Sequence, residues 1–419
     1  MLLSPTLLEE RARLTEAAGN GDAETQFALA EHLRTHSPGE RELAQALDWY
    51  LRAAESGHAE AAYRVGVALL EGLGCVREPV AALRWLRKAS EAGEAPAQAL
   101  LGWCLETGTG TTRDYARAFQ WYSAAAEAGD PVGHFRLGEL LVRGAGSKRN
   151  PEAAVAHWRF AAEAGNAQAQ LNLALAYIHG LGVPKDPPRA LTWCRQAAES
   201  EDPEAQYNLG LMLIGAPDGL RDVEAAEQWL VRAARAGLPH AQYALGRFHQ
   251  RGLAPRPDQL LAFEWLRRAA DNGHVKAAYR LALCYEKGLG VEASRPRAMT
   301  WLRHAAQLGN ADAQYELGRR GLFEKVSDMA REDAVAMLER AALQGHARAQ
   351  YAMSLCAANG VGVVRNQALA YAWLSLAAAQ GLNKATYKMS VMEEHLTPRI
   401  LAQGRRELSV LKEQIQPRR

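Results

Sequence analysis

The sequence predicts an all-α protein, a right-handed α-solenoid superhelix of stacked αα-hairpins, and a strict 36-residue period is the first observation behind that prediction. Of the eleven positions spaced 36 apart from 21 to 381, ten hold glycine and one holds Glu201. The ten units between 21 and 380 contain no insertion. Constant repeats of this kind are typical of solenoids, in which each unit packs only on its neighbours.

Columns of small residues are the second observation. When the glycine is numbered 0, positions 25 and 32 are alanine in all ten units, and position 9 is always Gly, Ala or Ser. Position 28 is tryptophan in eight units, and position 6 is often aromatic. Small side chains let helices approach closely while large ones fill the space beside them. We therefore expect these columns, tryptophan included, to build the core.

Each unit is predicted to hold helix A at about positions 2–14 and helix B at about positions 23–35, because its apolar columns recur every three or four residues. Position 1 is often Asp or Asn, which are good N-caps, and the glycine at 0 suits a left-handed C-cap. A Gly-x-Gly near positions 15–17, as in Gly72 and Gly74, lets the chain reverse at positive φ. One hairpin buries too little surface to be stable alone, so the units must stack.

The two ends predict capping helices. Residues 1–20 are expected to form an N-terminal cap, and residues 381–419 an eleventh helix A followed by a last helix that opens at Pro398. A polar outer face on such caps ends a solenoid in water. Within the repeats, unit 201–236 lacks both the glycine at 0 and the Gly-x-Gly turn, and unit 309–344 lacks the turn.

Composition narrows the function classes. Lys and Arg total 49 against 47 for Asp and Glu, a net charge of +2, which does not indicate a nucleic-acid binder. Five cysteines without a CxxC or close pair argue against a disulfide framework and favour a reducing compartment. No apolar run approaches 18 residues, and Glu9 and Glu10 interrupt the start where a signal peptide is apolar. We expect a cytoplasmic protein without membrane insertion.

The repeat pattern G-[DNH]-x-x-A-Q-Y-x-L-G-x-x-Y-x-x-G-x-G-V…A-x-x-W-x-x-x-A-A-x-x-G resembles that of the Sel1-like repeat family, relatives of the tetratricopeptide repeats, and unit 165–200 shows it well. The resemblance implies adaptor or scaffold work, often in bacterial signalling, envelope assembly or host contact. A cysteine-rich branch of the family carries a disulfide in each repeat. That branch is not matched here, because Cys104, Cys284 and Cys356 all occupy position 11 in separate units.

Signals for chemistry are nearly absent. The sequence contains no G-x-S-x-G, H-E-x-x-H or G-x-x-x-x-G-K-[ST], and its Gly-x-Gly turns lack the third glycine and preceding strand of a dinucleotide site. We therefore predict no enzyme, no cofactor and no metal site. The cysteines at position 11 are interpreted as small apolar fillers, with a reactive thiol as the alternative. His58, His274 and His346 at position 1 are interpreted as exposed residues with structural or solvated roles.

A candidate binding site lies where the columns differ between units. Positions 3, 7, 10 and 14 of helix A face away from the core stripe, and in tetratricopeptide-like solenoids this side is concave. The positions supply a possible partner-binding groove of Asn172, Asn208, His240, Arg247, Arg251, Lys276, Arg280 and Lys287. Lys276 and Arg280 are one turn apart, so both can face one ligand. The set resembles the Lys/Asn/Arg clamps with which some tetratricopeptide domains hold a peptide carboxylate.

Two further interpretations of this side stay open. The cations can instead form a solvated basic face balanced by Glu204, Glu286, Asp312 and Glu316. Apolar residues at position 10 can seat a helix or extended peptide, or can be partly buried by the next helix A; they are Trp103, Leu175, Leu211, Leu283 and Leu355.

The leading functional hypothesis is a non-catalytic scaffold whose groove binds a peptide segment or helix of another protein, with an acidic segment among the candidates. An RNA-binding α-solenoid is one alternative, since helical repeats can read one base per unit. The near-neutral charge and the lack of a code column argue against it, and no nucleic acid is expected as a partner. A hydrolytic enzyme, as proposed for some family members, is the other alternative.

Overall fold

The computed structural model describes residues 5–19, 21–36, 39–323 and 329–415, and every regular element in these ranges is a helix. The helices are α1 Pro5–Gly19, α2 Ala23–His36, α3 Glu40–Glu55, α4 Ala59–Glu71, α5 Pro79–Glu91, α6 Ala95–Thr107, α7 Tyr115–Glu127, α8 Pro131–Arg143, α9 Pro151–Glu163, α10 Ala167–His179, α11 Pro187–Glu199, α12 Pro203–Gly215, α13 Val223–Arg235, α14 Pro239–Gln250, α15 Gln259–Asp271, α16 Val275–Lys287, α17 Arg295–Gln307, α18 Ala311–Phe323, α19 Arg331–Leu343, α20 Ala347–Asn359, α21 Gln367–Ala379, α22 Asn383–His395 and α23 Pro398–Gln414.

The chain divides into two compact units, Met1–Arg221 with α1–α12 and Asp222–Arg419 with α13–α23. Consecutive helices pack on one another from α1 to α12 and from α13 to α22, and α23 packs on α21, so that αα-hairpins stack side by side within each unit. This confirms the prediction of an all-α solenoid. The division falls inside repeat 201–236, between its helix A and its helix B.

The helix boundaries follow the predicted period, with one shift. Helix A occupies positions 2–14, as in α4, whereas helix B occupies positions 22–34, as in α7, and so begins one residue earlier than predicted. The residue at position 21 explains the shift, because it is commonly Asp or Asn. Asp114, Asn150 and Asp186 each accept a hydrogen bond from the backbone N–H three residues later, which fixes the N-terminus of helix B.

The glycine at position 0 ends helix B in the left-handed region. Gly93 has φ +91°; its N–H donates to Ser90, and the next N–H, of Glu94, donates to Ala89, which is a Schellman motif. A Cβ added at Gly93 would meet nothing within 4 Å, so the requirement is purely conformational. Glu201, which replaces this glycine in one unit, keeps φ at +63° and is the sole non-glycine residue with positive φ in the described ranges.

The second glycine of the Gly-x-Gly turn has a different role. Gly110 has φ +72°, and a Cβ built on it would lie 2.5 Å from the carbonyl oxygen of Pro79, the first residue of the preceding helix B. The same approach recurs at Gly146 and Gly182. This glycine therefore lets the turn of one repeat rest directly on the backbone of the repeat before it. In unit 309–344, residues 324–328 of the turn region lie outside the described part of the chain.

The alanine columns lie in the core as predicted. All ten alanines at position 32 are fully buried, and those at position 25 are at most 3% exposed. The tryptophan column differs from expectation, because six of its eight members are only half-buried at the edge of the core. The large residue at the core centre stands one place later, at position 29, as with Leu86 and Tyr122. Basic side chains stack on several of the tryptophans, such as Arg52 on Trp49, 4.5 Å from its centroid.

In five repeats a buried glutamine at position 5 ties helix A to the repeat before it. Gln170 Nε2 donates to the carbonyl oxygen of Ala162, near the end of the preceding helix B, at 3.1 Å. The same bond joins Gln98 to Ser90, and three further glutamines donate to the carbonyl eight residues earlier: Gln242, Gln314 and Gln350. A buried amide that satisfies a helix-terminal carbonyl holds both partners in one geometry.

Helices lie where both caps are expected. The helix α1 packs on α2 through Ala18, which is buried. At the other end, α22 is an eleventh helix A, and α23 packs on α21 with Leu411 buried. A Cβ on Gly404 of α23 would lie 2.7 Å from the ring of Tyr371, so this glycine permits close packing. Residues 1–4 and 416–419 of the predicted caps lie outside the described residues.

We predict that Glu201→Gly stabilises the protein by about 0.5–1 kcal/mol, because a left-handed backbone is costly for glutamate and free of steric strain for glycine. Urea unfolding followed by circular dichroism should show a higher midpoint. Ser200→Gly is the matched control, since Ser200 has φ −73° and gains nothing from glycine. An unchanged or lower midpoint for Glu201→Gly would contradict the assigned strain.

We predict that Gln170→Ala destabilises the first unit by about 1–3 kcal/mol, because the buried carbonyl of Ala162 loses its donor. Gln168→Ala, two residues away on the same helix, removes an exposed amide and should change the urea midpoint little. Equal midpoint losses in the two variants would show that the buried bond contributes no more than a surface amide.

Candidate functional site

The outward side of the A helices is set by which positions the core uses. Along α10, the positions 4, 5, 8, 9, 11 and 12 are buried, which leaves positions 3, 7, 10 and 14 facing outward. We call the surface formed by these four positions of successive A helices the A-helix face. It carries the residues that the sequence analysis selected, and each unit of the chain has its own A-helix face.

The first unit has a groove of about 450 Å³ on its A-helix face, between α4, α6 and α8. Its floor is apolar, with Val67, Leu100, Trp103 and Val132, and Arg136 stands among the polar residues that line it. Trp103 is half-buried, so a large part of the indole remains available to a ligand. An apolar floor with charged residues at its edge is the usual composition of a peptide-anchoring pocket.

Sequence reasoning found only Trp103 of this groove. Val67 shares its column, position 10, while Leu100 and Val132 stand at positions 7 and 3. The signal was present in Leu100 and Val132, since positions 7 and 3 are polar or charged in most other repeats. Position 10 alone does not predict the groove, because its lining comes from position 10 of α4 and α6, position 7 of α6 and position 3 of α8.

The two predicted asparagines lie in the first unit and are engaged within the fold. Asn172 Nδ2 donates to Glu139 Oε1 at 2.6 Å, which links α10 to α8. Asn208 Nδ2 donates to the backbone carbonyl of Glu204 on its own helix at 2.8 Å. Both side chains are half-buried. A partner would have to compete with these bonds, so the place of the two amides in a binding site stays a prediction.

The six predicted basic residues all lie on the A-helix face of the second unit, on α16 and on α14 together with Arg251 directly after its end. Arg247 and Arg280 are half-buried, whereas His240, Arg251, Lys276 and Lys287 are exposed. Burial, and then the neighbouring charges of Arg280 and Arg251, lower the pKa of Arg247. Three guanidinium groups therefore lie close together and repel one another. Their charges create a positive electrostatic potential that attracts an anion.

The acidic residues that would balance this cluster have other partners. Arg320 lies 2.6 Å from Glu286 and Arg319 lies 3.0 Å from Glu316. Asp312 pairs with His346 at 3.3 Å, although the charge of Arg280 also helps to lower its pKa. In the described part of the second unit, Arg251, Lys276, Arg280 and Lys287 form no ion pair within 4.0 Å. The interpretation of a solvated, internally balanced face is thus weakened.

The histidines at position 1 are structural, and the expectation that they are exposed was wrong. His274 Nδ1 accepts a hydrogen bond from the N–H of Ala277 at 3.1 Å, which caps α16. Its ring stacks on Tyr243 of the preceding repeat, with centroids 4.4 Å apart. His58 and His346 form the same cap and the same stack on the preceding aromatic residue. Each is half-buried because the previous repeat covers it.

The cysteines at position 11 are buried thiols. Burial raises the pKa of two of them, Cys104 and Cys284, to about 11, and that of Cys194, at position 29 of its repeat, to about 12, so these three thiols are protonated near neutral pH. All five cysteines are free, and the three at position 11 are buried as predicted for apolar fillers.

Metal-binding clusters and membrane-spanning helices are both absent from the described residues. Between 5 and 415, leaving out the gaps at 20, 37–38 and 324–328, His, Cys, Asp and Glu nowhere gather in threes that could hold a metal ion. His134 and His157 do approach, with their Nδ1 atoms 2.9 Å apart, and burial lowers the pKa of both. None of the helices in the same part of the chain combines the length and the apolar character needed to cross a membrane.

The comparisons with known proteins agree with this architecture. The Sel1 repeat family model matches ten consecutive segments that together span residues 23–382. A Sel1 repeat protein from Oxalobacter formigenes is 31% identical, with 75% of this chain and 93% of that one covered and a TM-score of 0.59. No curated protein matches the chain significantly.

A second solved structure covers nearly the whole chain. It is c5321, described as a protective antigen present in uropathogenic Escherichia coli strains that displays an SLR fold. The two chains are 28% identical, the alignment covers 97% of this chain and 95% of c5321, and the TM-score is 0.66. Both likenesses are to repeat proteins with the same helical units.

We predict that the second unit loses stability as the pH falls from about 6.5 to about 4. Burial, and then the charges of His240 and Lys276, hold the pKa of His274 at about 4, so the unfolded chain takes up a proton on this residue before the folded chain does. His274→Asn keeps an N-cap without titrating. Urea midpoints at pH 7 and pH 5 should differ more for wild type than for the variant. Equal differences would contradict the assignment.

Proposed function

The chain belongs to the Sel1 repeat family, and we propose that it is a non-catalytic scaffold that binds a peptide segment or helix of another protein on its A-helix face. Sel1 repeat proteins are generally protein-interaction scaffolds. The proposal here concerns the finer role: which surface binds, and what kind of ligand it takes.

One observation carries the proposal. The positions that recur in every repeat are buried and build the stack, whereas positions 3, 7, 10 and 14 of helix A change from repeat to repeat and stay accessible. Residues that neither pack the core nor cap a helix are the ones free to recognise a partner. In the first unit these positions enclose the 450 Å³ groove with Trp103 at its floor, and Trp and Arg are the residues that dominate binding energy at interfaces.

The proposed setting is the cytoplasm, with an adaptor role in bacterial signalling or assembly. The five free cysteines support a reducing compartment. The protonated thiols of the cysteine column support a role without covalent chemistry, since a thiol nucleophile must be ionised to react.

We predict that Trp103→Ala lowers the recovery of a bound partner at least about tenfold, because it removes the aromatic anchor from the groove floor. Immobilised wild type and variant would be incubated with the same native lysate, and each bound protein quantified by mass spectrometry. Trp193→Ala is the matched control, since Trp193 is a half-buried tryptophan of the same unit that lies on helix B.

Three results would speak against the proposal. Equal recovery on all three baits would place the binding site away from the first unit's groove. Loss of recovery with both tryptophan variants would indicate a general loss of packing. Recovery of nothing by the wild type, with circular dichroism showing a fully helical protein, would contradict a scaffold role in that lysate.

A further inference from the structure

The A-helix faces of the two units carry opposite charge. At positions 3, 7, 10 and 14 of α14, α16, α18, α20 and α22, the second unit has nine Lys or Arg and two Asp or Glu. At the same positions of α2 to α12, the first unit has three Lys or Arg and six Asp or Glu. The net charge of +2 for the whole chain conceals this separation, because it adds the two faces to the charges of all other positions.

From this polarity we propose that the A-helix face of the second unit binds an extended, acidic segment of the partner protein. The inference rests on the proposed scaffold function and specifies the chemistry of its ligand.

Cations of this face on α14 and α16 are available for such a ligand. Both of its acidic residues are already held, Asp312 by His346 at 3.3 Å and Glu316 by Arg319 at 3.0 Å. Arg251, Lys276 and Arg280 form no ion pair with any described residue of the unit. Carboxylates of a bound segment would relieve the repulsion between Arg247 and its neighbours, which already lowers the pKa of Arg247.

The repeat sets the spacing of the ligand's acidic residues. Neighbouring A helices in such stacks lie roughly 10 Å apart, and an extended chain advances about 3.3–3.5 Å per residue. A segment that crosses the helices therefore meets a new helix A about every third residue. Position 3 offers the exposed residues Lys276, Arg348 and Lys384 along α16, α20 and α22, while α18 between them carries Asp312, which pairs with His346. Asp or Glu at about every third residue, except opposite α18, fits this series.

A peptide fits this face better than RNA does. Binding of single-stranded RNA needs aromatic faces on which bases stack, as well as positive charge. At position 6, His274 stacks on Tyr243 and His346 stacks on Tyr315, while Tyr279 and Tyr351 are half-buried. Of the position-6 aromatic residues on α14 to α22, Tyr387 alone is exposed, so the face lacks a row of open rings. Leu283 and Leu355 at position 10 add half-buried apolar surface between the cations, which suits the side chains of a peptide.

The test uses fluorescence anisotropy with the full chain and a labelled peptide of about 15 residues that carries Glu at every third position. Wild type should bind it at about 50 mM salt and release it as salt rises. Arg280→Glu should weaken binding at least about tenfold, because Arg280 stands in the centre of the cationic cluster. Arg303→Glu is the matched control: it is an exposed arginine of the same unit on helix B, and it should change affinity by less than about twofold.

Each other outcome overturns a stated part of the proposal. Absence of binding by wild type, or equal weakening by Arg280→Glu and Arg303→Glu, would remove the acidic-segment site. Equal affinity for a peptide with the same Glu residues in one block would overturn the three-residue spacing. Tighter binding of an oligouridylate of the same length would assign the face to RNA instead. If wild type does not bind the peptide while Trp103→Ala still lowers the recovery of a partner from lysate, the proposed scaffold function is retained and only the acidic-segment proposal is overturned.

Discussion

The stack depends on a close approach between two backbones. The second glycine of the Gly-x-Gly turn lies against the first carbonyl of the preceding helix B, as Gly110 does against Pro79, where a Cβ would stand at 2.5 Å. This contact fixes how far one hairpin is displaced from the next. An insertion in either helix would break this contact, which gives a physical reason for the constant length of the six units that carry the second glycine. Repeat 201–236 lacks this turn, and the chain divides into its two compact units within that repeat.

Around that contact, polar groups fix the register of each repeat on the one before it. The buried glutamine at position 5 reaches back to a helix-terminal carbonyl, and the histidine at position 1 caps its own helix while it stacks on the preceding aromatic ring. Each bond is worth only about 1 kcal/mol net, yet leaving a buried partner unsatisfied costs more. The bonds therefore select one stacking geometry more than they add stability. A rigid stack of this kind presents its A helices at constant spacing, which lowers the cost of ordering a surface for binding.

The same rigidity makes charge position matter. The half-buried guanidinium group of Arg247 lies near the charges of Arg280 and Arg251, and burial together with these charges lowers its pKa. In the first unit, the equivalent positions give an apolar groove with Trp103 and a surplus of carboxylates. The same repeat architecture thus carries two chemically different surfaces, because the residues at positions that do not pack in the core differ between the two units.

The sequence by itself determined the helices, their period and most of the core columns. The reason is that helical spacing and repeat length depend only on the order of residues along the chain. It also placed the cationic residues on one side of the A helices, because the 3.6-residue turn decides which positions share a face. Only the tertiary structure decided which side chains are covered or engaged by a neighbouring repeat. That is why His274 was expected to be exposed, why Trp49 was assigned fully to the core, and why Asn172 was not expected to be bound to Glu139. The groove at Leu100 and Val132 was missed for the same reason, since it forms between three helices whose residues are 32 positions apart. The burial of a side chain depends on how two neighbouring repeats pack together, so the sequence of a single repeat does not determine it.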